Sequence, residues 1–449
     1  MALIKQYGHW ALLPVAIFLY YLFAFEIKRT DHLVLFSCFS ALIVVSTGVY
    51  LGLKNSEWTL LFAVGLLFRL TFLVSTPHLS DDFYRFTWDG ELLKDGYKVF
   101  AFKPREFTKN VKEEHKEKYK SLLNAHNDEF PNGMNSKKYH SIYPAVNQLV
   151  FFSASLSNSP NKRNLIIIRL WILIAEIVSF FMLRSLLLKN NNAHLLGLYW
   201  LHPFIIIELS GNLHLEALAI TFTLMAIYFA MKNKLLGSAL ATSLGIMTKL
   251  TPLFLLGAFF RGRPFKNWII LCMITGMFSL TMFFLIVDLE TFLNFKDSVG
   301  LFFAWFSFNA GPFNMVRDFV LMISGADVSS LISLFFPFIT MGILGYIVFI
   351  KKYSTVTTLL LLFTTYFMFS PIVHPWYISI LIPLGLLSKM IYPLLWSLLI
   401  FGTYATYGTE YIQPMPWIYF EYCAVIFTMT CELRTKENWS HKVANFIYN

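Results

Sequence analysis

The feature that most limits the fold is the recurrence of apolar runs about twenty residues long. An α-helix of that length spans the hydrocarbon core of a bilayer, and only helices and closed barrels satisfy their backbone hydrogen bonds there. The first runs lie at about 8–26, 32–53 and 57–77. They are continuous and lack the ten-residue alternation of a barrel strand. Composition agrees. Of 449 residues, 57% are hydrophobic and only 14% charged, against about 25% charged in soluble domains. The expectation is an all-α polytopic integral membrane protein forming a single domain over 1–449. The stretch "MALIKQYGHWALLPVAIFLYYLFAF" has no small-residue cleavage site and reads as a first span, not as a removed leader.

Charge sets the expected orientation. There are 36 basic and 26 acidic residues, a net charge of +10, and in membrane proteins such an excess concentrates in cytoplasmic loops. The basic residues form no stripe, so a nucleic-acid partner is not expected. The four cysteines have neither metal spacing nor a disulfide framework and read as small core residues. With Lys5 inside, the third run delivers His78 to the outer side. Residues 78–164 then hold no strong span and form a large outer loop. Its 78–140 portion carries 12 basic and 11 acidic groups. Within it, "NVKEEHKEKYKSLLNAH" predicts a solvated helix with Glu114 and Lys118 spaced i,i+4, and "YPAVNQLVFFSASL" is too short to cross and is expected along the interface.

Beyond the loop, a core over 165–433 threads consistently. Spans are expected at 165–187, 195–203 (breaking at His202–Pro203), 214–231, and 235–266 as two half-helices about Lys249 and Pro252. Further spans follow at 267–288, 329–350, 355–371, 376–389, 391–409 and 417–433. Half-helices included, that makes about 12–14 transmembrane helices. The basic groups at Lys189, Lys232–Lys234, Arg261–Lys266, Lys351–Lys352 and Arg434–Lys436 all fall inside; Lys28–Arg29 is the exception, placed outside. No clean internal repeat is visible, although broken helices are common in transporters.

On this topology the unusual polar residues converge on the outer face. In "HLSDDFYRFTWDGELL", Ser80 is a candidate N-cap and Asp81 and Asp82 open a helix. Asp81, Arg85 and Asp89 form one stripe, with Phe83, Phe86 and Leu93 expected toward lipid. The stretch is either a capped interfacial helix with an i,i+4 ion pair, or a carboxylate held near lipid whose basicity burial and Arg85 tune for catalysis. "ELSGNLHLEAL" places Glu208, Asn212, His214 and Glu216 after a broken helix. It reads as a polar interfacial turn or a binding cluster, and its spacing lacks a third metal ligand, so no metal is expected. Lys249 interrupts an apolar run, either snorkelling or serving a phosphate. Trp376 and Tyr377 of "SPIVHPWY" suit an aromatic belt, but His374 between two prolines does not. Together these residues outline an outer-face cavity reachable by a lipid tail from the side, a site for chemistry on a lipid-linked phosphorylated substrate.

Several stretches resemble a known family, the GT-C superfamily of polytopic glycosyltransferases, closest to bacterial polyprenyl-phosphate-mannose-dependent mannosyltransferases. "SDDFYRFTWDG" resembles its carboxylate-tyrosine-arginine segment, "SIYPAVNQLVFF" its tyrosine-proline element, which brings in Tyr143, and "WLHPFIIIELSGNLHLEAL" its helix-break segment. "LGIMTKLTPLFLL" and "HPWYISILIPLGLL" resemble two further elements. The resemblance spans residues 78 to 387. The chain departs from it in His202 for Asn, Glu216 for a frequent Asp, "GYKVFAFKP" without Asn-Pro-Tyr, and an insert at 108–138. The resemblance implies an aspartate base, Asp81 with Asp82 as the fallback. It also implies a polyprenyl-phosphate sugar donor, most simply mannose, and inversion at the anomeric carbon. The implied substrate-binding residues are Arg85, Asp89, Tyr143, Asn212, His214, Glu216, Lys249, His374, Trp376 and Tyr377. No cofactor is expected. The partners would be the donor, a glycan or glycolipid acceptor and the lipid bilayer. The implied location is a bacterial inner (cytoplasmic) membrane with the site on its periplasmic or outer face. A transporter or flippase of lipid-linked glycans would use the same broken helices and polar pockets. A membrane acyltransferase with a buried His would leave the Asp pair and Lys249 without roles.

Overall fold

The computed structural model describes residues 8–53, 57–107, 111–128, 130, 132–157, 162–189, 191–304, 307–407 and 411–434. It is all-helical, about three quarters helix, and no strand forms among the described residues. The expected cytoplasmic positions of Lys5 and Lys436 lie outside the described residues.

Helices of eight residues or more are numbered in chain order. The first helices are α1 (Leu12–Phe25), α2 (His32–Leu53) and α3 (Trp58–Leu70). The outer loop supplies α4 (Asp82–Lys94), α5 (Lys116–Asn124) and α6 (Ala145–Ser155). The core continues with α7 (Lys162–Leu188), α8 (Glu216–Met231), α9 (Leu235–Ile246), α10 (Phe265–Phe284), α11 (Leu289–Ala304) and α12 (Gly311–Ser324). It closes with α13 (Ser329–Phe349), α14 (Thr355–Phe369), α15 (Leu381–Ser388), α16 (Tyr392–Leu399) and α17 (Met415–Arg434).

Four helices, α2, α7, α10 and α13, are long and apolar enough to cross a membrane. A fifth span forms if the pair Ala193–Trp200 and Pro203–Gly211, bent by 48°, counts as one. The expected 12–14 crossings therefore do not appear as full-length helices. Among the described residues, most of the predicted runs become shorter apolar helices or broken ones. The run at 57–77 stops at Leu70, and that at 391–409 splits into α16 and a 3₁₀ segment, Ile400–Thr406. The predicted break at His202–Pro203 is present, because proline supplies no N–H to the turn before it. The chain does not end there, however. It continues through a π-helical turn, Ile206–Gly211. The half-helices about Lys249 are also present, α9 ending at Ile246 and a short helix resuming at Phe254.

The core of the bundle is α8 packed against α7 and α9. Two arginines stabilise it from within. Arg69 of α3 bonds Glu176 of α7 at 2.8 Å through Nε, and its Nη1 donates to the Trp200 carbonyl at 2.8 Å. Ser210 Oγ donates to the other Glu176 oxygen at 2.5 Å. All three side chains are fully buried, which a charge tolerates only when paired and hydrogen-bonded.

In the outer loop, α4 lies directly on α6. Gly90 permits the approach, since a Cβ there would sit 2.3 Å from the Phe151 carbonyl oxygen. Phe83 and Phe86 do not face lipid as expected. Both are buried, with Phe86 stacked on Phe151 at 4.6 Å, because the rest of the loop covers that face. The α5 segment is not simply solvated either. Tyr119 is buried, and Lys118 pairs with Glu91 at 2.6 Å and Asp95 at 2.7 Å, not with Glu114. The cysteines are half-buried, and Cys423 is exposed, so they are not core residues.

Candidate functional site

The site is assembled where three chain reversals meet. The first follows α3. Arg169 of α7 donates from Nη1 to the carbonyls of Leu73 at 3.1 Å and Ser75 at 2.9 Å, and from Nε to that of Ser210 at 2.7 Å. One buried fork thus ties the exit of α3 to the π-turn. Asn212 completes the link: its Oδ1 accepts from Leu79 N–H at 3.3 Å, and its Nδ2 donates to Glu208 at 3.2 Å. This fixes the start of α4.

The helix begins one residue later than expected. Asp81, not Ser80, occupies the cap position, and its side chain caps nothing. Ser80 still contributes, accepting from the Asp82 N–H at 3.4 Å. Freed from capping, the Asp81 carboxylate accepts from Asn135 Nδ2 at 2.9 Å. Burial raises its pKa, while the Arg29 guanidinium and Asn135 oppose the rise. Arg85, expected to keep it ionised, points elsewhere. Asp82 is pushed up to about 7, first by burial and then by the negative charges of Asp81 and Glu216, with Asn135 and Lys249 opposing. Two like charges on adjacent residues cannot both leave water cheaply.

The second reversal is the broken helix at Lys249. Its carbonyls lack partners within the helix, and the outer loop supplies them: Val146 N–H donates to Met247 O at 2.9 Å, and Asn147 Nδ2 to Thr248 O at 2.9 Å. Lys249 Nζ does not snorkel. It lies 2.5 Å from Glu216 Oε1 and 3.4 Å from the centroid of the Tyr377 ring, an ion pair and a cation–π contact together. The third reversal is the "HPWY" turn. Trp376 stacks on two imidazoles, His214 at 3.8 Å and His374 at 4.5 Å, all nearly parallel. Tyr143 comes from the segment before α6, close enough to Asp82 for its charge to act on it.

The residues singled out from the sequence thus fall into three groups. Asp81, Asp82, Tyr143, His214, Glu216, Lys249, His374, Trp376 and Tyr377 come together. Arg85 and Asp89 form a neighbouring buried network. Arg85 Nε donates to Asp89 at 2.7 Å, and Asp89 also accepts from Ser141 Oγ at 2.5 Å and Gln148 Nε2 at 3.0 Å. Asn212 holds backbone. Three more residues escaped the sequence reading. Arg29 sits near Asp81; Asn135 bonds it; and Tyr404 donates to Glu208 at 2.9 Å. The expected placement of Lys28–Arg29 outside, against the trend of the other basic loops, was the available signal for the first. Among the described residues, no group of three or more His, Cys, Asp and Glu side chains is placed to hold a metal ion.

No family model, curated protein or solved structure matches the chain.

Proposed function

We propose that the protein transfers a hexose, most simply mannose, from a polyprenyl-phosphate donor to a hydroxyl of a glycan or lipid-linked acceptor on the non-cytoplasmic face. The observation that carries this reading is the carboxylate pair Asp81–Asp82 at a helix start, charge-coupled to Lys249 and Glu216 at a helix break. Acid–base groups and a cation thereby stand beside the apolar helices that a lipid tail needs.

In the proposed reaction Asp81 accepts the proton of the acceptor hydroxyl. The oxygen forms a bond to the anomeric carbon as the bond from that carbon to the phosphate oxygen breaks. The products are the glycosylated acceptor and the lipid phosphate. Lys249 stabilises the charge growing on the leaving phosphate, a preorganised electrostatic contribution. Asn135 orients the Asp81 carboxylate, and Asp82, with its raised pKa, limits the negative charge beside it.

The test is release of lipid phosphate from short-chain polyprenyl-phosphate mannose and glucose by the purified protein. Asp81→Asn keeps the side chain's shape but cannot accept the proton. Transfer should fall on the order of a hundredfold or more, and Asp82→Asn should cost less. Lipid-linked sugar crossing vesicles without cleavage of the phosphate ester, or full turnover in the double variant, would overturn the reading.

A further inference from the structure

Two cations stand near the carboxylate pair, and they differ in one respect. Lys249 acts on Asp82 and already has an anionic partner, Glu216 at 2.5 Å. Arg29 acts on Asp81 and has no hydrogen bond or ion pair among the described residues. Its guanidinium carbon lies 4.5 Å from the centroid of the Phe130 ring and 4.6 Å from that of Tyr407. These rings come from the outer loop and from the end of the 3₁₀ segment Ile400–Thr406, so three remote segments build the cage. Arg29 itself is half-buried in the turn between α1 and α2.

A guanidinium held against aromatic faces keeps its edge N–H groups for a ligand in its own plane. That geometry matches an oxyanion, which it can bind with two parallel hydrogen bonds. The cage also gives a use to Arg29 of the Lys28–Arg29 pair, which the sequence reading placed on the side where basic loops are uncommon. Its position argues which substrate brings the oxyanion. Lys249 lies at a break between two core helices, on the Asp82 side. Arg29 lies in a turn outside the spans, on the Asp81 side, where a group arriving from water passes first.

We propose that Arg29, caged by Phe130 and Tyr407, binds a phosphate or carboxylate carried by the acceptor, so that the acceptor is an anionic sugar and not a neutral one. The proposal rests on the group-transfer reading only in calling that ligand the acceptor. Arg29 offsets part of the charge repulsion that the anion would otherwise meet at Asp81, and the pairing brings the sugar hydroxyl toward that carboxylate.

The experiment is equilibrium binding to the full chain in lipid nanodiscs, with mannose 6-phosphate, glucuronate and neutral mannose as probes, and citronellyl phosphate standing for a lipid phosphate. The wild type is expected to bind at least one charged sugar roughly tenfold to a hundredfold more tightly than mannose, the scale of a charged hydrogen-bond pair. Arg29→Gln should erase that preference and leave mannose and citronellyl phosphate unchanged. Arg29→Lys should keep part of it. Tyr407→Leu, which leaves the charge in place, should weaken it severalfold. The proposal is overturned if the wild type shows no preference for a charged sugar, if the preference survives Arg29→Gln, or if Arg29→Gln instead loses citronellyl phosphate. Failure of the group-transfer reading looks different: no lipid phosphate is released by any form of the protein, the wild type included, while anion binding through Arg29 persists.

Discussion

Replacing Asp89 with alanine is expected to loosen the outer loop before it touches chemistry. The Asp89 carboxylate is fully buried. It receives Arg85 Nε at 2.7 Å, Ser141 Oγ at 2.5 Å and Gln148 Nε2 at 3.0 Å. Gln148 keeps other acceptors after the change, the Ser141 hydroxyl at 3.1 Å and the Tyr143 carbonyl at 3.2 Å. Arg85 does not fare as well. It retains the Tyr139 carbonyl at 2.9 Å but loses its only counter-charge among the described residues. Removing one member of a buried ion pair costs ~3–5 kcal/mol, so segment 136–148 should open roughly a hundredfold to a few thousandfold more often. Amide hydrogen exchange of that segment in nanodiscs reads this directly. The double replacement Arg85→Met with Asp89→Leu removes both charges and should recover most of the protection, because an uncompensated charge, not a lost bond, is the source of the cost. The reasoning is refuted if Asp89→Ala leaves exchange unchanged and raises only the Michaelis constant for the donor. Asp89 would then be a substrate ligand.

Three further expectations concern the site and its setting. Lys249→Met should raise the donor Michaelis constant about tenfold or more while sparing acceptor binding, and an unchanged donor constant and rate would remove Lys249 from the site. With Asp81 as base, transfer should persist as pH falls through about 7, where Asp82 takes up its proton, and be lost only lower, where Asp81 is protonated. The sign follows because a base works in its ionised form, so a limb centred near 7 would move that role to Asp82. Single cysteines at Lys138 and Lys352, both exposed, should react with an impermeant reagent in intact cells at 138 only. The opposite pattern would invert the topology.

Much of this architecture was legible because bilayer thickness and the backbone's need for hydrogen bonds act on every apolar run alike. The breaks at Pro203 and Lys249 were legible for the same reason: a missing N–H or a lone charge marks a span locally. What stayed hidden depends on distant pairing. Arg69 and Glu176 are 107 residues apart, and Asn135 and Asp81 are 54 apart. A helical period cannot say which partner a side chain meets. Nor could it say that Phe83 and Phe86 face the loop's own interior, since lipid and a covering loop ask for the same residues. The pairing of Lys118 with Glu91 and Asp95 in place of Glu114 is the same failure on a smaller scale: the i,i+4 neighbour lost to two carboxylates at the end of α4.

The bonds from Val146 and Asn147 to the carbonyls of Met247 and Thr248 set an order of events during synthesis. Asn147 and Thr248 are 101 residues apart. At ~5–20 residues per second, the outer loop emerges roughly 5–20 s before its partner carbonyls exist. For that interval α6 has α4 and α7 to pack on, but the Val146 N–H and the Asn147 amide have no carbonyls to meet. The site is therefore completed late, when the helix break at Lys249 meets a loop that was made long before it. A chain halted before Met247 would carry Asp81 and Asp82 and still lack Lys249 and the carbonyls that anchor the loop.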